Sequence, residues 1–179
     1  MAVCTTVLPV VGQDFCAPEI NYGQIEQFFF TRQGDGLTDV TDDAEWTTRL
    51  SNTTTLPSAG TDAPIRAIDV IGDWPAPDVT ETVISRNRRV YSRPAHTINL
   101  RVDHTNAANY AFAKTMLGTT QTYSCWFIAD GLIFGGDTGL TCDMTVTGYT
   151  IPESRTEIQQ IIITIKWEGA MPDRDASPF

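Results

Sequence analysis

Short runs of Val, Ile, Phe and Thr, each cut off by Gly, Pro, Asp or Asn, recur from one end of this chain to the other. β-Branched and aromatic residues suit a pleated, half-buried surface, and the breakers supply turns. That texture predicts a mainly β fold: a β-sandwich or barrel of about seven strands, with one flanking helix and a short second helix in an insertion. The 179 residues amount to one domain, long enough to bury a core, and the 41% hydrophobic share is that of an ordinary globular chain.

Strands are expected over residues 24–32, 65–71, 79–91, 97–102, 122–128, 131–134, 140–149 and 157–167. The 79–91 segment reads as one strand with Val79, Glu81, Val83 and Ser85 on a common side. The 161–165 segment is apolar on both faces, which predicts a strand covered on both sides. Asp130-Gly131 is a hairpin turn, and Gly135-Gly136-Asp137-Thr138-Gly139 a flexible loop.

Two helices interrupt this pattern. Asp42 is a good N-cap, and Glu45 three residues later completes a capping-box pair, with Trp46 and Leu50 on one face. Thr105 or Asn106 caps a second helix that carries Tyr110, Ala113 and Leu117 on one stripe and stops at Gly118. The whole chain, 1–179, reads as a single β domain. An extended arm occupies 1–23, an insertion with the short helix and a long loop 33–64, and a short arm with an exposed Phe179 residues 170–179.

Net charge is −10, with 22 Asp and Glu against 12 Lys and Arg. Such a surface repels nucleic acid at long range. The cations are ten Arg and only Lys114 and Lys166, which suits fixed contacts with carboxylates or reflects compositional bias. No apolar run approaches the roughly 20 residues of a membrane span. The first basic residue is Arg32, so no secretory signal is expected and folding in a cytoplasm is. On that reading Cys125 is a buried thiol. Cys4–Cys16 and Cys125–Cys142 disulfides are geometrically feasible, but the compartment argues against them.

The candidate chemistry is sparse. Asp103-His104 is the one His–carboxylate neighbour pair, and no nucleophile motif accompanies it; Asp103 is better read as a helix cap or dipole partner. Asp35, Asp39, Asp42 and Asp43 lack the spacing of a calcium loop and read as caps. Gly34-Asp35-Gly36 and the 135–139 loop lack the Lys and helix start of a phosphate loop. Asn52-Thr53-Thr54 is a chance glycosylation sequon in a chain without a secretion signal. Hence no catalytic residue, metal or cofactor is assigned, and the chain reads as a non-enzyme.

Arg86, Arg88, Arg89, Arg93 and Arg101 put half of all arginines into sixteen residues. With only Tyr91 among them as an aromatic, a nucleic-acid site is less favoured than pairing with an acidic face of another copy.

The second half of the chain resembles the tail-tube proteins of tailed bacteriophages. A strand with a basic loop (85–102) leads to one amphipathic helix (105–117) and a strand (122–128). Two closing strands follow, with the turn Gly148-Tyr149-Thr150-Ile151-Pro152 and the ending Ile163-Thr164-Ile165-Lys166-Trp167-Glu168-Gly169. The likeness spans residues 65–172. It implies a virion structural protein, assembled in the host cytoplasm, that forms rings with copies of itself around a DNA-conducting lumen. Other virion proteins would be its partners, DNA would pass without specific binding, and no membrane is involved. Residues 24–64 would bridge neighbouring subunits. Asp69 and Glu81, each flanked by apolar residues on an expected strand, are the candidate lumen positions. Two other readings stand beside it: a capsid-associated or neck protein of the virion, and a carbohydrate-binding β-sandwich using Trp46, Trp74 or Trp126. For Trp46 and Trp126 core packing is the stronger expectation, which leaves Trp74 as the exposed aromatic.

Overall fold

The structure is a computed structural model that describes residues 23–53, 63–86, 88–154 and 156–179. The arm read over 1–23 (Gly23 aside), Cys4, Cys16 and most of the long loop lie outside the described residues. The elements run β1 (Ile25–Arg32), α1 (Asp43–Ser51), β2 (Arg66–Asp73), β3 (Glu81–Ser85), β4 (Arg88–Tyr91), β5 (Ala95–Val102), α2 (Ala107–Met116), β6 (Thr120–Ala129), β7 (Leu132–Phe134), β8 (Leu140–Thr150), β9 (Gln160–Glu168) and β10 (Arg174–Ala176).

The fold is mainly β, a closed six-stranded barrel with two extra strands. Around the barrel the order is β1-β2-β5-β9-β8-β6, and β6 returns to β1, every pairing antiparallel. Closure removes the open edges that a sheet of this length would leave. The upper half of β6 leaves β8 and pairs instead with β7, which carries β10 on its far side. The strand count exceeds seven for two reasons. The 79–91 segment is not one strand but the hairpin β3–β4, and the C-terminal residues are not a free arm but an edge strand.

Alternation along each strand fills the barrel. Phe28, Ile98, Leu100, Met144, Val146, Ile163 and Ile165 point inward and are buried. Cys125 and Cys142 are part of this interior and are joined as a disulfide, which corrects the expectation of free thiols. They sit diagonally on neighbouring strands, where Cys125 opposes Leu140 and Tyr123 opposes Cys142. α2 is capped by Asn106, whose Oδ1 accepts from the Asn109 amide at 2.8 Å. It turns Ala113 and Met116 to the barrel, whereas Tyr110 and Leu117 of the expected stripe are exposed.

A second core lies outside the barrel wall. The outward residues of β1 and β6, Phe29, Trp126 and Ile128, are covered by Leu37, Val40 and Trp46 from α1 and the loop before it. The strand buried on both faces is therefore β6, not β9. In β9 Ile161, Ile163, Ile165 and Trp167 are buried, but Ile162 and Thr164 are half-exposed, because nothing among the described residues lies over that wall. The described part of the 33–64 insertion accordingly packs on its own barrel. Asp42 caps α1 as expected, accepting from the Ala44 amide at 2.9 Å. Glu45, however, reaches back to the Thr38 amide, at 2.9 Å, and not to Asp42.

Two polar devices lock this second core. Arg49 is buried. It donates through Nε to Ala63 O (2.8 Å), through Nη1 to Gly36 O (2.6 Å) and through Nη2 to Asp35 O (2.8 Å), with Glu45 at 3.4 Å. The 135–139 loop, expected to be flexible, wraps the Trp126 indole. Trp126 Nε1 donates to Gly136 O at 2.7 Å. Gly135 and Gly139 have positive φ, and a Cβ on either would fall 2.5 and 2.8 Å from the indole.

Candidate assembly surface

Pro75 and Pro77 end β2 because proline removes ladder donors. The chain then makes a narrow two-stranded excursion before it rejoins the barrel at β5. The base is tied by reciprocal bonds between Asp78 and Ala95, at 2.9 and 3.0 Å. Above it the Thr80 amide donates to Ser92 Oγ and the Ser92 amide to Thr80 O, both at 2.9 Å. From Glu81 to Tyr91 every described residue is exposed.

Val83 is 62% exposed, Ile84 58% and Tyr91 59%, and Val79 and Val90 are nearly as open. Burying one such side chain fully is worth about 1.5–3 kcal/mol. A two-stranded hairpin without a packed face is marginal on its own in water. The hairpin thus presents five exposed apolar side chains that nothing among the described residues covers.

The arginine cluster divides across this feature. Arg86, Arg88 and Arg89 lie on the hairpin and Arg93 on its return limb, while Arg101 sits on the outer wall of β5 opposite Ile71. Arg89 Nη1 bonds Glu81 Oε1 at 2.9 Å in an exposed pair, worth at most about 1 kcal/mol. The two candidate lumen residues are also separated. Asp69 is exposed on the outer face of β2 and accepts from Gln27 Nε2 at 3.1 Å. Glu81 belongs to the hairpin, which has no core face among the described residues, so the flanking valines do not orient it as expected.

The remaining candidates resolve into structural roles. Asp39 accepts from the Thr41 hydroxyl and amide, which hold its carboxyl below the usual range. Among the described residues no group of three or more His, Cys, Asp or Glu could hold a metal ion. Asp103 precedes the Asn106 cap and is not in the first turn of α2, so the cap and dipole reading fails for it. Trp46 and Trp126 are buried. Trp74, expected to be exposed, is half-buried among Phe127, Phe134, His96 and Trp167 at one mouth of the barrel. His96 is buried there, stacked on Trp167 at 4.6 Å, with Nε2 3.2 Å from Gly169 O. The sequence singled out Trp74 only as an exposed aromatic and did not mark the burial of His96, because the mouth is assembled from β2, β5, β6, β7 and β9.

A cleft of about 650 Å³ lies beside α2, lined in part by Phe30, Ile68, Phe112, Met116 and Tyr123. No nucleophile, base and orienting group converge in it. Among the described residues no helix is long and apolar enough to cross a membrane.

Comparison with protein-family models, with curated proteins and with solved structures finds no match.

Proposed function

We propose that this chain is a non-enzymatic structural subunit that associates with copies of itself through the β3–β4 hairpin. The carrying observation is the hairpin itself: five exposed apolar side chains and four arginines on an excursion that packs on nothing among the described residues of its own subunit. Exposed apolar surface of this kind, rimmed by charge, is characteristic of interaction sites. The excess of carboxylates over cations in the whole chain supplies acidic counterparts on any neighbouring copy.

The finer reading is a tail-tube-type virion subunit, forming rings around a DNA-conducting lumen and assembled in the host cytoplasm. What supports it is the likeness in element order, strand to helix to strand and then two long closing strands. The chain's surplus of carboxylates suits a channel that passes a polyanion without holding it. The barrel's own interior is filled with side chains, so a lumen would lie between subunits, with Asp69 the better of the two candidates to face it. Of the three tryptophans named for carbohydrate binding, Trp46 and Trp126 are buried and Trp74 is half-buried, which favours the structural reading over that one.

Sedimentation velocity across a concentration series, with negative-stain microscopy of the same samples, tests the proposal. Rings or stacked rings are expected. A stable monomer at every concentration and salt overturns self-association, and closed shells or a single collar move the protein to the capsid or neck class.

A further inference from the structure

Resting on the self-association reading, we propose where the hairpin lands: on the β7–β10 edge of the next copy, so that the contact is head-to-tail. Three observations meet here. The first is topology. β5 and β6 are three strands apart in either direction round the six-stranded barrel, so they form opposite walls. The hairpin springs from the β2–β5 side and the β7–β10 extension from β6, but the extension leans across one mouth of the barrel, where Phe134 meets Trp74 at 6.0 Å and the Gly169 amide donates to Pro94 O at 3.0 Å, so the foot of the hairpin and the receiving edge lie at the same mouth. A patch that fits a different patch on the next copy gives a heterologous contact, the kind that closes into rings or runs into filaments.

The second observation is the edge. β10 is the last strand of the sheet, and its outer side pairs with no strand among the described residues. The outer sides of β3 and β4 are in the same condition over their described lengths. Unpaired backbone donors and acceptors on two edges are templates for each other.

The third is chemistry. From Asp78 to Arg93 the hairpin carries four arginines against Asp78 and Glu81. The β7–β10 extension with its flanking turns carries Asp130, Asp137, Asp173 and Asp175 against Arg174 alone. Each side also exposes apolar atoms: Val83, Ile84 and Tyr91 on the hairpin, Met171 and Phe179 beside β10. Phe179 is half-committed already, stacked on Phe29 at 5.6 Å, which holds the receiving edge against the subunit's own second core.

Charge reversal at each end is the test. Arg86→Glu/Arg88→Glu disables the hairpin and Asp173→Arg/Asp175→Arg disables the edge, with circular dichroism and thermal unfolding to check folding. Each variant alone is expected to need a roughly tenfold or higher concentration for half-assembly. An equimolar mixture of the two, or both reversals in one chain, is expected to restore it, since reversed hairpin then meets reversed edge. If the edge reversal fails to fold, the neutral Asp173→Asn/Asp175→Asn takes its place and weakened assembly is still expected. Wild-type assembly with an edge variant that assembles equally well overturns the docking site and leaves self-association standing. A hairpin variant that weakens assembly without rescue by the edge reversal points to hairpin-on-hairpin pairing and also overturns it. A monomeric wild type removes both readings at once.

Discussion

The indole of Trp46 stands edge-on to that of Trp126, ring centroids 5.5 Å apart, on the outside of the barrel wall. One ring comes from the short helix α1 and the other from the outward face of β6, so this contact joins the insertion to the barrel. Edge-to-face pairs of this kind add roughly 0.5–1.5 kcal/mol to the area they bury. Trp46 also donates from Nε1 to Val40 O at 2.8 Å and packs on Phe29.

Trp46→Ala is accordingly expected to cost about 3–5 kcal/mol in urea unfolding, the range for a large aromatic lost from a packed core. Thr47→Ala, one residue along on the exposed side of α1, should change stability by no more than about 0.5 kcal/mol. Similar costs for the two substitutions would contradict the second core.

Arg49 offers a sharper contrast. Arg49→Met keeps the volume but abandons the carbonyls of Asp35, Gly36 and Ala63, and a loss of about 3–5 kcal/mol is expected, as for a broken buried charge network. Arg49→Lys should recover only part of it, because an ammonium cannot serve three carbonyls spread around a planar fork. Full recovery by Lys, read in the same unfolding assay, would show that charge alone matters there.

The Cys125–Cys142 bond closes a loop of 17 residues. By loop length it should contribute about 3 kcal/mol, mainly by restricting the unfolded chain. Unfolding with and without reductant measures this, and alkylation of the unreduced, denatured protein should leave Cys125 and Cys142 unlabelled. Equal midpoints in both conditions would mean that the bond does not form in solution.

Tyr123 sets an alkaline limit. Burial raises its hydroxyl above the ordinary 10.0, because the phenolate is the form that burial penalises. The folded state therefore holds this proton more tightly than the unfolded one. Its contribution is fully present below pH 10.0 and is lost as pH rises from there through the folded value. Tyr123→Phe should flatten the fall of thermal stability above about pH 10 and leave the neutral range with at most the small cost of the Tyr123–Gln121 hydrogen bond. An unchanged alkaline slope would assign the loss to other groups.

Local chemistry made much of this fold legible. The β-branched runs gave the barrel strands to within a few residues, because alternation and breakers act on the chain before any tertiary contact forms. Asp42 and Asn106 announced their helices because a side-chain oxygen near three free amides needs no partner from elsewhere. What could not be read was which face of each element would find cover. Ile162 and Trp126 both sit in apolar strands, yet only Trp126 is buried on the outer wall, since the α1 insertion folds over β6 and not over β9. The 79–91 segment has strand composition throughout, and whether it ran straight or doubled back depended on the barrel bringing Asp78 and Ala95 together. The pairing of Cys125 with Cys142, the burial of His96 and the division of the arginines between hairpin and wall have the same origin. Sequence determines what each segment can form; only closure of the β1–β6 seam decides which side chains meet, because those contacts are made between residues far apart along the chain.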